Sequence, residues 1–372
     1  MIYIALFVVL AALTALDLVG DDRYGIKRGT FIGMVLLLIF ISAIRWETGP
    51  DWDSYVNFYE RIDEFLGEQS LNFFEPGYTA INWAFSTTKA PYTAMLAFLA
   101  IITIGIKGIV FLRYPRILFL LLFLYYAYYL ADIISVRQFT AVALCLFSLK
   151  YIEERRFWYF LVTIVVATTI HVSSLFFIFA YWFYWVRLSD NLLYTGLVLG
   201  FAIGLIDITS WLVNLVVSVV GVDAAIADKV LRYDDEGLET SHANPYISYA
   251  LGLLKRALIL PVLIAGRRII PSEDEGWYSG QLNLLVLGNI IYFVFILNVP
   301  VITRLALPFL YMEIFLLASL VSSVKDIRLR VLAILFVIVF GAVRLYMFMV
   351  PYWDLYMPFQ TIFDKSHLLN RY

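Results

Sequence analysis

Residues 281–297 read QLNLLVLGNIIYFVFIL, a run without one charged side chain. Such a run supplies most of the roughly 20 apolar helical residues that cross about 30 Å of hydrocarbon. The pattern recurs at Ile2–Leu18, Thr30–Ile44, Pro91–Leu112, Ile117–Leu130, Ile134–Ile152, Tyr246–Gly266, Val301–Ser322 and Val331–Val350. Between Phe157 and Val220 the apolar blocks are interrupted near His171, near Arg187–Asp190 and at Asp207. Parity with the flanking loops asks for three crossings there. The expected fold is all-α: a polytopic transmembrane helix bundle of about twelve spans, forming a single integral membrane domain over residues 1–372.

Composition agrees. Of 372 residues, 62% are hydrophobic and 15% charged, against about 25% charged in soluble domains; the mean hydropathy is +0.85. Aromatic residues make up 17%, and Tyr and Trp suit membrane–water boundaries because an apolar ring carries a polar tip. The single cysteine, Cys145, excludes an intramolecular disulfide and a cysteine metal site. The three histidines are far apart and show no ligand spacing. The opening stretch, MIYIALFVVLAALTAL, lacks a basic leader and reads as a retained first span. No P-loop, G-x-G-x-x-G, H-E-x-x-H or G-x-S-x-G is present. No transporter-like internal repeat is visible, and the basic clusters are too short for nucleic acid.

Loop charge sets the orientation. Basic segments at Arg23–Arg28, Arg113–Arg116, Lys150–Arg156, Arg267–Arg268 and Lys325–Arg330 alternate along the chain as cytoplasmic. The opposite side then holds an outer loop over 45–90 and a second, acidic one over 221–245. Tyr78–Lys89 is too short to span and is expected to lie along the outer interface as a helix started by Pro76.

Several cations break the charge rule. Arg45 ends the second span at its outer end, Arg137 and Arg304 sit just inside outer ends, and Arg232 lies in the second outer loop. Lys255 and Arg256 fall near the middle of an expected span. A charge at a helix centre costs roughly 2.5–3.5 kcal/mol on insertion scales. One way to offset that cost is pairing with Asp51, Asp53, Glu75 or Asp132, or snorkelling to the interface. The other is an outward-facing anion pocket, for which a lipid-linked diphosphate is the expected occupant. Arginine suits phosphate because its planar fork grips two oxygens and stays charged.

The first outer loop also carries Asp51 and Asp53 in DWD, Tyr55 one helical turn after Asp51, and Glu75 in EPGY. Acids beside an anion site can serve as a general base or hold a divalent cation between phosphates; equally, they can be solvated loop residues. His171 interrupts an apolar run in ATTIHVSSLFF. It reads either as a base or as a histidine hydrogen-bonded inside the bundle, with Ser173 and Ser174 as partners.

RWETGPDWDSYVNFY at 45–59, EPGYTAIN at 75–82, SVRQFTAVAL at 135–144 and HVSSLFF at 171–177 together resemble the EpsG family, which groups with the Wzy-type bacterial polysaccharide polymerases. The matching positions are Arg45, Gly49, Asp51, Tyr55, Glu75, Pro76, Gly77, Tyr78, Arg137, Gln138 and His171. Pro50 interrupts the family's glycine–aspartate pair, and the match covers roughly the first half of the chain; Arg232-Tyr233 and Arg304 are weaker counterparts.

The resemblance implies a GT-C-like membrane glycosyltransferase in the bacterial cytoplasmic (inner) membrane, its active site facing outward. It would join undecaprenyl-diphosphate-linked oligosaccharides into exopolysaccharide, capsule or O-antigen. Arg45, Arg137, Arg232 and Arg304 would hold the diphosphate, and a base would come from Asp51, Glu75 and His171. Asp53, Tyr55, Tyr78, Gln138, Lys255 and Arg256 would contact the glycan or support the site. The scheme requires no metal and no other cofactor, with a divalent cation left open. The expected partners are the lipid-linked glycans and membrane lipid, with a chain-length regulator protein open and nucleic acid excluded. The rival reading is a flippase or other transporter of the same lipid-linked oligosaccharide. It would place functional charges at cytoplasmic depth too and would form no glycosidic bond.

Overall fold

A computed structural model describes residues 2–18, 24–67, 74–134, 136–206 and 245–364. The chain divides into two compact units: Met1–Ile178 with Val324–Tyr372, and Phe179–Ser323. In the first unit the helices are α1 (Ile2–Leu13), α2 (Tyr24–Ile44), α3 (Trp52–Glu60), α4 (Ile62–Gly67) and α5 (Pro76–Thr87). There follow α6 (Tyr92–Phe111), α7 (Leu118–Tyr128), the one-turn α8 (Ala131–Ile134), α9 (Gln138–Glu153) and α10 (Phe157–Ile170). The second unit holds α11 (Asp190–Gly204), α12 (Pro245–Gly266), α13 (Glu275–Phe295) and α14 (Met312–Ser323); α15 (Ile327–Met349) returns to the first.

Among the described residues, five helical stretches are long and apolar enough to cross a membrane: Gly25–Ile44, Tyr92–Phe111, Glu275–Phe295, Pro300–Ser323 and Ile327–Tyr356. Shorter apolar ones run over Ile2–Leu18, Pro115–Tyr128, Phe157–Ile170, Val172–Phe183 and Asp190–Gly204. These described stretches do not establish the expected total of about twelve, and several of them are broken. The helix expected over Ile134–Ile152 begins only at Gln138, as α9; Val136 and Arg137 before it are non-helical, and Ile134 ends the one-turn α8. The apolar run after Phe157 stops at Ile170, passes through a 3-10 segment at Val172–Phe179, and resumes as α11 at Asp190. These are two of the three interruptions expected there; Asp207 lies outside the described residues, as does most of the 221–245 loop.

Polarity is inverted relative to a soluble protein. Leu36, Phe40, Trp158, Val162, Phe336 and Val339 are all more than half exposed, while Lys107, Asp132, Gln281, Asn283 and Asn289 are buried. So large an apolar exterior is the surface of a chain whose solvent is lipid: this is a membrane protein.

Local chemistry explains the element ends. The carboxylate of Asp17 accepts from Phe119 N (3.3 Å) and Leu120 N (2.7 Å), satisfying donors at the start of α7. Arg45 and Trp46 form a two-residue antiparallel pair with Thr361 and Gln360, a contact no periodicity announced. In the second unit Ser189 caps α11 by accepting from Leu192 N. Asn283 donates to the Val186 carbonyl (2.7 Å) and Arg267 to the Leu188 carbonyl (2.9 Å), so the break before α11 has its backbone satisfied. Gly196, Gly200 and Gly204 line the face of α11 that meets α13: a Cβ on Gly204 would lie 2.9 Å from the Phe293 carbonyl carbon.

Candidate active site

The EPG triplet builds the site's acidic corner. Glu75 is the extended residue capping α5, with φ -63° and ψ 148°, and Pro76 takes the first helical position, where its missing N–H costs nothing. Gly77 is required because α5 meets the end of α10 there. A Cβ would stand 2.8 Å from the Thr169 backbone oxygen and closer still to its hydroxyl. This close approach carries the Glu75 carboxylate to the chain just past α10: Val172 N–H donates to Glu75 Oε1 at 3.0 Å, one residue beyond His171.

Arg137 arrives from the break between α8 and α9, where it caps α9 with φ -104° and ψ -70°. Its Nη1 faces Glu75 Oε2 at 3.4 Å, and both side chains are mostly buried. The guanidinium also lies over the Phe74 ring, 4.6 Å from the centroid. Arg137 Nε and Glu75 Oε2 have no hydrogen-bond partner among the described residues. Two buried polar atoms left in this state are under-satisfied: a bound oxyanion could accept from Arg137 Nε, and a bound hydroxyl could donate to Glu75 Oε2.

His171 ends α10 in extended conformation and is 5% exposed. Its Nδ1 lies 2.7 Å from Ser173 Oγ and accepts from Ser173 N at 3.3 Å. In the neutral ring this assigns the proton to Nε2. Ser173 is thus the partner that the HVSS string suggested.

An aromatic floor lies under this corner. The Tyr78 ring is 5.5 Å from Phe74, 5.8 Å from Tyr55 and 6.3 Å from Phe58. Burial pushes the Tyr78 hydroxyl well above the usual phenol range, so it is a neutral group at working pH. Tyr55 follows Asp51 on α3, its N–H bonded to the Asp51 carbonyl at 3.2 Å. Both Asp51 and Asp53 are exposed, whereas Trp52 between them is buried against Trp46 and Tyr92. No trio of His, Cys, Asp or Glu able to hold a metal ion occurs among the described residues.

Arg45 sits deeper than a pocket wall. At 2% exposure it donates to the carbonyls of Ser42 (3.1 Å) and Ile133 (2.9 Å), tying the end of α2 to α8. Burial pulls its pKa down to about 10, which leaves it cationic at neutral pH, and its charge acts on the hydroxyls of Tyr92, Tyr3, Tyr78 and Tyr55.

Each of the other expected residues has its own setting. Gln138 is half-buried at the first position of α9. Arg304 is exposed in the 3-10 segment Pro300–Ala306 of the second unit. Arg256, also in that unit, donates to Asn289 Oδ1 at 2.7 Å and packs 3.5 Å over the Tyr292 ring; Lys255 is its half-buried neighbour on α12. Arg232 lies outside the described residues. The grouping that the structure brings together is therefore Glu75, Arg137 and the His171–Val172 segment, over Tyr78 and Phe74.

One participant escaped the sequence. Lys107, inside α6, is fully buried and pairs with Asp132 on α8. The one available signal was a lysine within a long apolar run, which reads equally as a side chain snorkelling from a helix end.

The chain matches no curated protein and no solved structure. A family model does match: the EpsG family, over residues 30–361. The match extends far beyond the first-half motifs and takes in the Arg304 region. With that coverage, and with the Glu-Pro-Gly and Arg-Gln strings meeting at one ion pair, the chain belongs to the EpsG family of Wzy-type polysaccharide polymerases.

Proposed function

We propose that this polysaccharide polymerase transfers a growing glycan from an undecaprenyl-diphosphate donor to a second lipid-linked repeat unit, at the outer leaflet of the bacterial cytoplasmic membrane. The observation that carries this reading is the Glu75–Arg137 pair, a carboxylate and a guanidinium 3.4 Å apart and each holding an unused hydrogen-bonding atom.

In this scheme Arg137 pairs with Glu75 while the site is empty. A diphosphate oxygen then takes over the guanidinium, and Glu75 Oε2 is freed to accept a proton. The acceptor hydroxyl attacks the anomeric carbon, and its proton passes to Glu75. The bond from that carbon to the diphosphate oxygen breaks, and undecaprenyl diphosphate leaves. Arg137 stabilises the charge that grows on the leaving phosphate, where a preorganised donor acts most strongly. Ser173 holds the His171 ring beside this corner, and the Val172 N–H holds the other carboxylate oxygen in place. Arg45 supports the corner from behind. Half-buried Tyr55 offers a sugar-stacking face with the buried Tyr78 supporting it from beneath, and Asp51 and Asp53 are open to the acceptor.

The test is glycan elongation by purified protein in vesicles supplied with lipid-diphosphate-linked repeat units. The expected product is a ladder of lengthened chains. Glu75→Gln should lower its rate by about 10²–10⁴-fold, the usual contribution of a general base, and Arg137→Ala should abolish it with membrane insertion intact. Translocated but unlengthened glycan would point to a transporter instead; full activity in both variants would remove this site from the chemistry.

A further inference from the structure

The turn that presents Arg137 is held from outside by a buried ion pair that the mechanism does not use. Lys107 Nζ donates to Asp132 Oδ2 on α8 and, at 3.3 Å, to the Phe139 carbonyl on α9. These two acceptors flank Arg137, five residues before it and two after. One ammonium group therefore bridges the entrance and the exit of the break. Four residues earlier on α6, Thr103 Oγ1 meets Thr140 Oγ1 at 2.6 Å, and Thr140 Oγ1 donates to the Val136 carbonyl at 2.6 Å. Between them they hold the last residue before Arg137 to the first turn after it.

The helix is shaped to do this. Ile101–Gly105 is a π-helical turn within α6, and such single-turn widenings change which residues face a neighbour. Thr103 lies in this turn and Lys107 follows Thr103 by four residues, and both reach the α8–α9 break. Nothing in span formation calls for it, since a charge in an apolar helix opposes insertion.

We infer that Lys107 and Asp132 are positioning residues: together they staple the break between α8 and α9 so that Arg137 faces Glu75. The inference rests on the polymerase reading for its kinetic consequence, but not for its geometry. Burying both charges fixes one register of the turn, because each partner is left stranded in apolar surroundings if the turn shifts.

Two measurements test it. In the first, Glu75→Cys and Arg137→Cys are introduced with Cys145→Ala, and a short thiol cross-linker reports their proximity. Cross-linking should be efficient in this background and fall at least tenfold when Lys107→Met and Asp132→Asn are added together, a change that removes both buried charges. Unchanged cross-linking in chain that still inserts and remains monodisperse would overturn the inference. In the second, the Lys107→Met/Asp132→Asn variant should lose about 100-fold in kcat/KM for elongation, the scale of a 1 Å misplacement. The same pair added to Arg137→Lys should change the residual rate less than twofold, because a positioning role acts through Arg137. Multiplying losses would mark a general structural role and reject the proposal. Should the native chain elongate no glycan, the polymerase reading fails, and the cross-linking result decides the staple on its own.

Discussion

At the residue scale, Glu75, Pro76 and Gly77 have separable tasks. The glutamate supplies the carboxylate, the proline starts the helix, and the glycine lets α5 touch the end of α10. Gly77→Ala should therefore destabilise the protein by about 1–3 kcal/mol, the range for an overpacked contact, and reduce elongation by pulling Glu75 from the Val172 N–H. Thermal unfolding in detergent and the elongation assay check the two effects. Adding Thr169→Ala should restore them only in part, since the Thr169 backbone oxygen also stands 2.8 Å from the new methyl. Glu75, Arg137 and His171 each stood out as a candidate in the sequence: Glu75 as an acid ahead of a Pro-Gly helix start, Arg137 as a cation just inside an expected span, and His171 as an interruption of an apolar run. Lys107 did not, because one lysine in a long apolar run carries no sign of the acid it meets.

At the element scale, the breaks matter more than the spans. Arg137 reaches Glu75 because the helix expected from residue 134 starts only at Gln138, which leaves Arg137 in an irregular join after the one-turn α8. The join is tolerated because Arg45, Lys107 and Thr140 take up its carbonyls, in keeping with the rule that non-helical backbone at membrane depth must find protein partners. Helix pairing in the second unit depends instead on small residues. Gly196 and Gly200 face Ile290, and Gly204 faces the backbone at Phe293. Alanine substitution should cost most at Gly204, where a carbonyl cannot move aside, and least at Gly196, where only the tip of Ile290 is met. Melting of the three single variants in one detergent would check that order; equal losses would contradict this account of the packing.

At the scale of the whole molecule, apolar surface outside and polar side chains inside define a membrane protein. Basic segments such as 150–156 are proposed to stay cytoplasmic, which would leave the Glu75 corner outside. Single cysteines at two exposed positions test this: Asp53→Cys should react with a membrane-impermeant maleimide in intact cells, and Arg155→Cys only after permeabilisation. The reverse pattern would move the proposed acceptor site to the cytoplasmic face.

The chain by itself determined the helical class, the membrane environment, the family motifs and the places where apolar runs fail. These follow from local composition, because roughly 20 apolar residues can satisfy their backbone in lipid only as a helix. Only the tertiary structure decided which charges meet. It paired Arg137 with Glu75, put Lys107 on Asp132, drew Arg45 into the support of α8, and set Arg256 against Asn289 and Tyr292. Such pairings join residues distant in sequence and depend on the phase at which helices pack. Close contacts at small residues such as Gly77 and Gly204 help set that phase, and hydropathy does not encode it.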